Sequence, residues 1–83
     1  MSMTDLARDL DREIEAILMV ADEPQSLVAL ASALDVPLAA VKSAVQSLVD
    51  DYNGDTGGPQ RGFELREVGG GWRLSVREAY DAA

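Results

Sequence analysis

The sequence of 83 residues contains no cysteine and no histidine. Their absence excludes disulfides, thiolate and imidazole metal sites, cysteine nucleophiles and any triad that needs an imidazole base. The three consecutive glycines at 69–71 precede a predicted strand instead of a helix N-terminus, so they do not form a phosphate cradle. No other group of residues has the spacing of a catalytic, metal or cofactor site. We therefore expect a protein that is not an enzyme and has no cofactor.

Basic residues are also scarce. Seven Lys and Arg stand against fifteen Asp and Glu, which gives a net charge of -8. This balance argues against direct binding of nucleic acid or of an anionic membrane, because lysines and arginines supply that attraction. The sequence has no apolar run of about 20 residues and no signal-peptide pattern. We expect a cytoplasmic protein.

Aromatic residues make up only 5% of the chain, whereas apolar residues make up 47%. The core is therefore predicted to consist mainly of Leu, Val, Ile and Ala. The length predicts a single domain over residues 1–83, with residues 1–3 flexible. A chain this short buries only about 60–65% of its unfolded surface, so a partner or a second copy would add stability.

Apolar residues recur at helical spacing in three successive segments. The first is predicted to begin at the N-cap residue Thr4 and to end before Pro24, and the second to begin after the N-cap residue Ser26. A break at residues 35–37 precedes the third helix, with Pro37 in its first turn. The predicted buried stripes are Met3, Leu6, Leu10, Ile14, Ile17, Leu18 and Ala21, then Leu27, Leu30, Ala31 and Leu34, then Leu38, Val41, Ala44, Val45, Leu48 and Tyr52.

The second half of the first helix has a second apolar face. Ala16, Met19 and Val20 point away from the buried stripe. Either the remainder of this fold or another chain must cover them, and the pattern alone leaves both alternatives open. These three residues are the predicted dimer or partner contact.

The period of the apolar residues changes from 3.6 to 2 after residue 62. Residues 53–62 are rich in glycine and polar residues and are predicted to form a mobile loop. The following residues predict a β-hairpin in which Phe63 faces Val76 and Leu65 faces Leu74, with a four-residue loop at 68–71. The fold class is therefore mostly α with a C-terminal β-hairpin (α+β). Three helices and a two-stranded wing, with a helix-turn-helix as helices two and three, correspond to the winged helix-turn-helix.

The exposed face of the third helix lacks the cations that a DNA-reading helix needs. It consists of Ala39, Ser43, Gln46, Ser47 and Asp50, with Lys42 at its margin. Nothing on this face would neutralise several phosphates, and the carboxylate would repel them. We therefore interpret the helix-turn-helix as a packing unit.

Four of the seven cations lie on or beside the predicted hairpin, namely Arg61, Arg66, Arg73 and Arg77. Arg66 and Arg73 are predicted to face each other, which is unfavourable unless an anion or an acidic partner lies between them. The alternative is that Glu64 and Glu67 pair with them diagonally on a solvated face. The four arginines are thus the predicted contact for an anionic partner, either protein or nucleic acid.

Two stretches, "IEAILMVADEPQSLVALASAL" and "GFELREVGGGWRLSVREAY", resemble the N-terminal domain of segregation and condensation protein B. The resemblance covers about residues 11–80. It depends on four features: residues 15–18 in helix one, Glu23 and Pro24 followed by Ser26, the hairpin at 62–72, and Glu78 with Tyr80.

The resemblance implies a winged-helix domain, the first of two in a longer protein, which self-associates and binds the kleisin subunit (segregation and condensation protein A). Through the kleisin it would join the SMC ATPase in bacterial chromosome condensation and segregation. The leading hypothesis is thus a non-enzymatic scaffold and homodimerisation domain. The alternatives are a winged-helix transcription regulator that contacts DNA through the wing arginines, and an interaction module for some other acidic partner.

Overall fold

The computed structural model describes residues 9–77. Within these residues, three helices precede two strands in the predicted order. The elements are α1 (Leu10–Val20), α2 (Leu27–Leu34), α3 (Leu38–Tyr52), β1 (Phe63–Val68) and β2 (Gly71–Val76). The α+β class is confirmed, and the predicted N-cap Thr4, residues 1–3, Glu78 and Tyr80 lie outside the described residues.

The first helix begins later than its apolar spacing predicts. Asp9 has an extended backbone, with φ -99° and ψ 90°, and its carboxylate accepts a hydrogen bond from the backbone N–H of Arg12 at 3.2 Å. A single helix that runs from Thr4 through Asp9 is therefore wrong. Apolar periodicity continues across the N-cap and so cannot reveal it, whereas the short acidic side chain of Asp9 satisfies a free N–H in the first turn of α1.

The turn between α2 and α3 is built from local backbone geometry. The Ser26 hydroxyl accepts from the N–H of Ala29 at 3.0 Å, which confirms the predicted N-cap. Asp35 ends α2 in the left-handed region with φ 55°. Pro37 is the extended N-cap of α3 and not a first-turn residue, and Leu38 is about half exposed, so both predictions need correction.

The chain direction changes by 112° between the two helices on either side of this turn. Within residues 9–77, no single helix is long and apolar enough to cross a membrane. This bent pair meets both criteria only when its two helices are counted together.

The core lies between the three helices and β1. Each large aliphatic side chain buried there stabilises the fold by roughly 1.5–3 kcal/mol. Apart from Leu38, the members of the third predicted stripe are all buried, and Tyr52 packs edge-on against Phe63 with ring centroids 4.7 Å apart. The buried core residues are Ile14, Leu18, Leu30, Val41, Ala44, Val45, Leu48, Tyr52 and Leu65.

The hairpin has the predicted register, with Phe63 opposite Val76 and Leu65 opposite Leu74. Its turn is tighter than predicted, because pairing continues to Val68 and Gly71 and leaves a two-residue turn in place of a four-residue loop. Both turn residues, at 69 and 70, are glycines with positive φ (55° and 84°), as a type I′ turn requires.

The wing is held against the segment that joins α1 and α2. Gln25 and Trp72 exchange two backbone hydrogen bonds of 2.9 and 2.7 Å. A Cβ atom at Gly71 would lie 2.8 Å from Cβ of Pro24, so glycine permits this close approach. The hairpin is therefore fixed relative to the helices from its β2 side.

Residues 53–62 are irregular, as the composition predicts. The loop closes on the end of α3 through backbone hydrogen bonds from Asp55 N–H to the Asp50 carbonyl and from Arg61 N–H to the Tyr52 carbonyl, both 2.8 Å. Its mobility stays a prediction.

Candidate protein-interaction surfaces

The outer face of α1 is exposed in the structure. Met19 is 67% and Val20 is 78% exposed, and Ala16, one turn before Met19, is exposed too. The hairpin of the same chain therefore leaves most of these apolar side chains uncovered.

The hairpin extends this apolar surface. Met19 borders a cavity of about 170 Å³ that is lined also by Phe63, Leu74, Ser75 and Val76, and Val76 is 58% exposed. We call the surface formed by Ala16, Met19, Val20, Phe63, Leu74 and Val76 the α1–hairpin patch. The sequence did not reveal that the three hairpin residues belong to this surface. Alternation shows which face of a strand is apolar, but not how much of that face the helices cover.

The exposed face of α3 forms a shallow groove of about 610 Å³. Some of its polar groups are engaged within the chain: Gln46 donates to Asp50 at 3.0 Å, and the Ser47 hydroxyl donates to Asp11 at 2.9 Å. The lining residues are Ala39, Lys42, Ser43, Gln46, Ser47, Asp50 and Thr56. Lys42 is the single cation among them, so the groove has the polarity expected of a face that does not read DNA.

Arg77 fastens the end of β2 to the end of α3. Its Nε donates to the carbonyl of Arg61 at 2.6 Å, and its Nη2 donates to the carbonyl of Tyr52 and to Oδ1 of Asn53, both at 2.7 Å. Its Nη1 lies 3.6 Å from Glu64, and only 12% of the side chain is exposed. A cation at the C-terminus of a helix also interacts favourably with the helix dipole.

Arg61 is engaged in the same region. Its Nη1 donates to the carbonyl of Pro59 at 3.1 Å, and its Nη2 lies 3.7 Å from a carboxylate oxygen of Asp51. Two of the four predicted anion-contacting arginines are thus paired with carboxylates of their own chain. The contact of these four residues with a partner stays a prediction.

Arg66 and Arg73 lie directly opposite each other on the outer face of the hairpin, and both are exposed. The predicted diagonal pairs with Glu64 and Glu67 do not form. Glu64 pairs with Arg77, and Glu67 lies on the other face, opposite Trp72. The two guanidinium groups therefore face solvent without a carboxylate from residues 9–77.

Tyr52 links α1 to α3 through a hydrogen bond from its hydroxyl to Oε2 of Glu15. Burial, and then the hydrogen bond to this carboxylate, raise the pKa of Tyr52 far above its ordinary value. Arg12 lies 3.3 Å from the other oxygen of Glu15. The hydroxyl is thus held in its neutral, donating form and acts as a structural link.

Three helices, a sharp turn between α2 and α3, and a two-stranded hairpin that follows them define a winged-helix domain. Its α3 face is poor in cations, whereas its α1 face is apolar and exposed. Residues 12–83 match the family described as segregation and condensation complex subunit ScpB. The chain belongs to this family. No curated protein matches it in sequence.

Several solved structures share the fold. The crystal structure of ScpB from Mycobacterium tuberculosis superposes with a TM-score of 0.76 at 34% identity, over 89% of this chain and 44% of that chain. This chain thus spans less than half the length of that relative. The dimer of ScpB N-terminal domain complexed with ScpA peptide gives a TM-score of 0.74 at 26% identity, over 95% of this chain and 90% of that one. A conserved hypothetical protein from Chlorobium tepidum gives a TM-score of 0.71 at 26% identity, over 94% of this chain and 47% of that one.

Proposed function

We propose that this domain is a non-enzymatic scaffold of the bacterial SMC–kleisin condensin complex, which forms a homodimer and binds the kleisin subunit ScpA. It would act in the cytoplasm in chromosome condensation and segregation, and reach the SMC ATPase through the kleisin. The observation that carries this proposal is the exposed apolar face of α1, in a member of the ScpB family.

The dimer is proposed to form through the α1–hairpin patch. Burying Met19 and Val20 fully would contribute roughly 1.5–3 kcal/mol each, which makes them suitable anchors for an interface. Ala16 lies one turn away, and its small side chain lets a second helix approach. A patch that meets its own copy across a two-fold axis is the commonest arrangement in homo-oligomers.

The proposal of a kleisin partner depends on a relative. The solved dimer of ScpB N-terminal domain contains a ScpA peptide and is similar to this chain over 95% of its residues. We infer that the paired domains present a composite surface to the kleisin. The α3 groove, in contrast, is poorly suited to binding DNA, because Asp50 lies in it and Lys42 is its one cation.

The experiment is light scattering after gel filtration, at low and high salt, on the wild-type chain and on Met19→Glu. We expect a salt-insensitive wild-type dimer and a monomeric variant with unchanged helical circular dichroism. Val28→Glu is the matched control, because Val28 is also apolar and 65% exposed but lies on α2, outside the α1–hairpin patch. It should remain dimeric.

A wild-type monomer at all concentrations would refute the dimer, whereas a Met19→Glu variant that remains dimeric would refute the α1–hairpin patch as its interface. Loss of helical signal in Met19→Glu would place Met19 in the core instead of at an interface. Isothermal titration with a ScpA peptide then tests the partner. A winged-helix transcription regulator would instead bind duplex DNA with an affinity that falls steeply with added salt.

A further inference from the structure

The outer face of the hairpin carries two cations that have no carboxylate partner among residues 9–77, in a chain that has an excess of carboxylates. Of the lysines and arginines that the structure describes, Arg12, Arg61 and Arg77 lie within 4 Å of a carboxylate of this chain. Arg66 and Arg73 do not, although acids outnumber bases fifteen to seven. Within residues 9–77 they therefore lack a partner because no carboxylate lies close to them, and not because the chain has too few carboxylates.

The β-sheet register brings these two side chains together. Directly opposed residues have Cβ atoms about 4.5–5.5 Å apart and point to the same face. Val68, which is exposed, precedes the turn on this face, and Glu64, the nearest acid on β1, is held by Arg77. The result is a pair of guanidinium forks beside an apolar side chain.

Like charges that face each other across a hairpin destabilise it, and a bound anion removes the repulsion. A guanidinium fork matches a carboxylate and binds it through two parallel N–H donors. We propose that Arg66 and Arg73 form a docking site for an acidic segment of a partner protein, whose carboxylates lie between the two guanidinium groups. Val68 would contact an apolar residue of the same segment.

Charge favours a protein segment over a nucleic acid. A nucleic acid needs several cations along its backbone, and each neutralised phosphate contributes to affinity. The only other described cation without a carboxylate partner in this chain is Lys42, which lies on α3 in the groove that also contains Asp50. An acidic peptide needs only the local pair.

The proposed site is separate from the α1–hairpin patch. Phe63, Leu74 and Val76 belong to the inner face of the hairpin, whereas Arg66 and Arg73 belong to the outer face. A dimer formed through the α1–hairpin patch therefore leaves the arginines accessible. Failure of the docking site and failure of the dimer can be told apart, because each surface has its own variants.

The test is a titration of the ¹⁵N-labelled chain with an oligo-glutamate peptide at low salt, followed by NMR. We expect saturable shifts confined to the outer face of the hairpin, and loss of binding when salt is added. Arg66→Gln and Arg73→Gln should each weaken binding about two- to fivefold, as for exposed ion pairs. Lys42→Gln is the matched control, since it removes the same charge elsewhere, and it should leave the affinity unchanged.

Several outcomes would overturn the proposal. The first is the absence of saturable binding, and the second is an equal loss of affinity in Lys42→Gln, which would show a response to net charge alone. The third is tighter binding of a single-stranded oligonucleotide than of the peptide by the same arginines, which would identify a nucleic-acid site. Light scattering on Arg66→Gln and Arg73→Gln should still give the dimer of the wild-type chain.

Discussion

Replacement of Arg77 by methionine should destabilise the domain strongly, although this arginine follows the last residue of β2. The substitution keeps the aliphatic stem and removes every side-chain donor. Three hydrogen bonds of 2.6–2.7 Å and one ion pair of 3.6 Å are lost at once. Each hydrogen bond from a charged group contributes about 1.5–3 kcal/mol when buried.

The net loss is smaller than the sum of these contributions. The Tyr52 carbonyl keeps its hydrogen bond from the N–H of Arg61 at 2.8 Å, and Asn53 is exposed and can bind water. The carbonyl of Arg61 loses its donor, and Glu64 loses its partner. We therefore expect the free energy of unfolding to fall by about 2–3 kcal/mol. The free energy of unfolding of a native protein is only about 0.05–0.15 kcal/mol per residue, so this loss is a large part of the domain's total stability.

Urea unfolding at one fixed protein concentration measures this loss, with circular dichroism and the fluorescence of the single tryptophan, Trp72, as probes. With an m-value of roughly 1 kcal/mol per molar urea for so small a domain, the midpoint should fall by about 2–3 M. Arg73→Met is the matched control, because Arg73 is on the same strand, exposed, and opposite Arg66. It should change stability by less than about 0.5 kcal/mol. Equal midpoints for the two variants would refute the assignment of Arg77 as the fastening between β2 and α3.

Two further predictions concern the packing of the wing and of Tyr52. Gly71→Ala should destabilise by about 1–3 kcal/mol, because its Cβ would lie 2.8 Å from Cβ of Pro24, and a thermal melt that matches wild type would contradict this close approach. The raised pKa of Tyr52 means that the unfolded chain loses this proton first as pH rises. The contribution to stability is therefore complete below about pH 10 and is lost progressively above it. Unfolding in urea between pH 8 and 11 should show this decline in wild type and a shallower one in Tyr52→Phe; equal slopes would be evidence against the buried, Glu15-bonded hydroxyl.

The sequence was sufficient to predict the hairpin and most of the helical core. A period of 2 fixes which residues face each other, so pairing Phe63 with Val76 followed from the need to place apolar residues on one face. The N-cap at Ser26 followed from a local preference. The start of α1 at Leu10 could not be predicted from the sequence, because the apolar spacing runs through Asp9 without interruption.

The amino-acid sequence by itself determined the order of the elements, the register of the wing and the scarcity of cations on α3, since all three depend on residues near one another in the chain. Only the tertiary structure decided which wing arginines have carboxylate partners and how much of α1 remains exposed. Arg77 reaches the carbonyl of Tyr52 across 25 positions, and Met19 borders a cavity that the hairpin supplies. Such contacts depend on how the packed elements are positioned in space. The spacing of residues along the chain does not determine the distance between side chains on different elements.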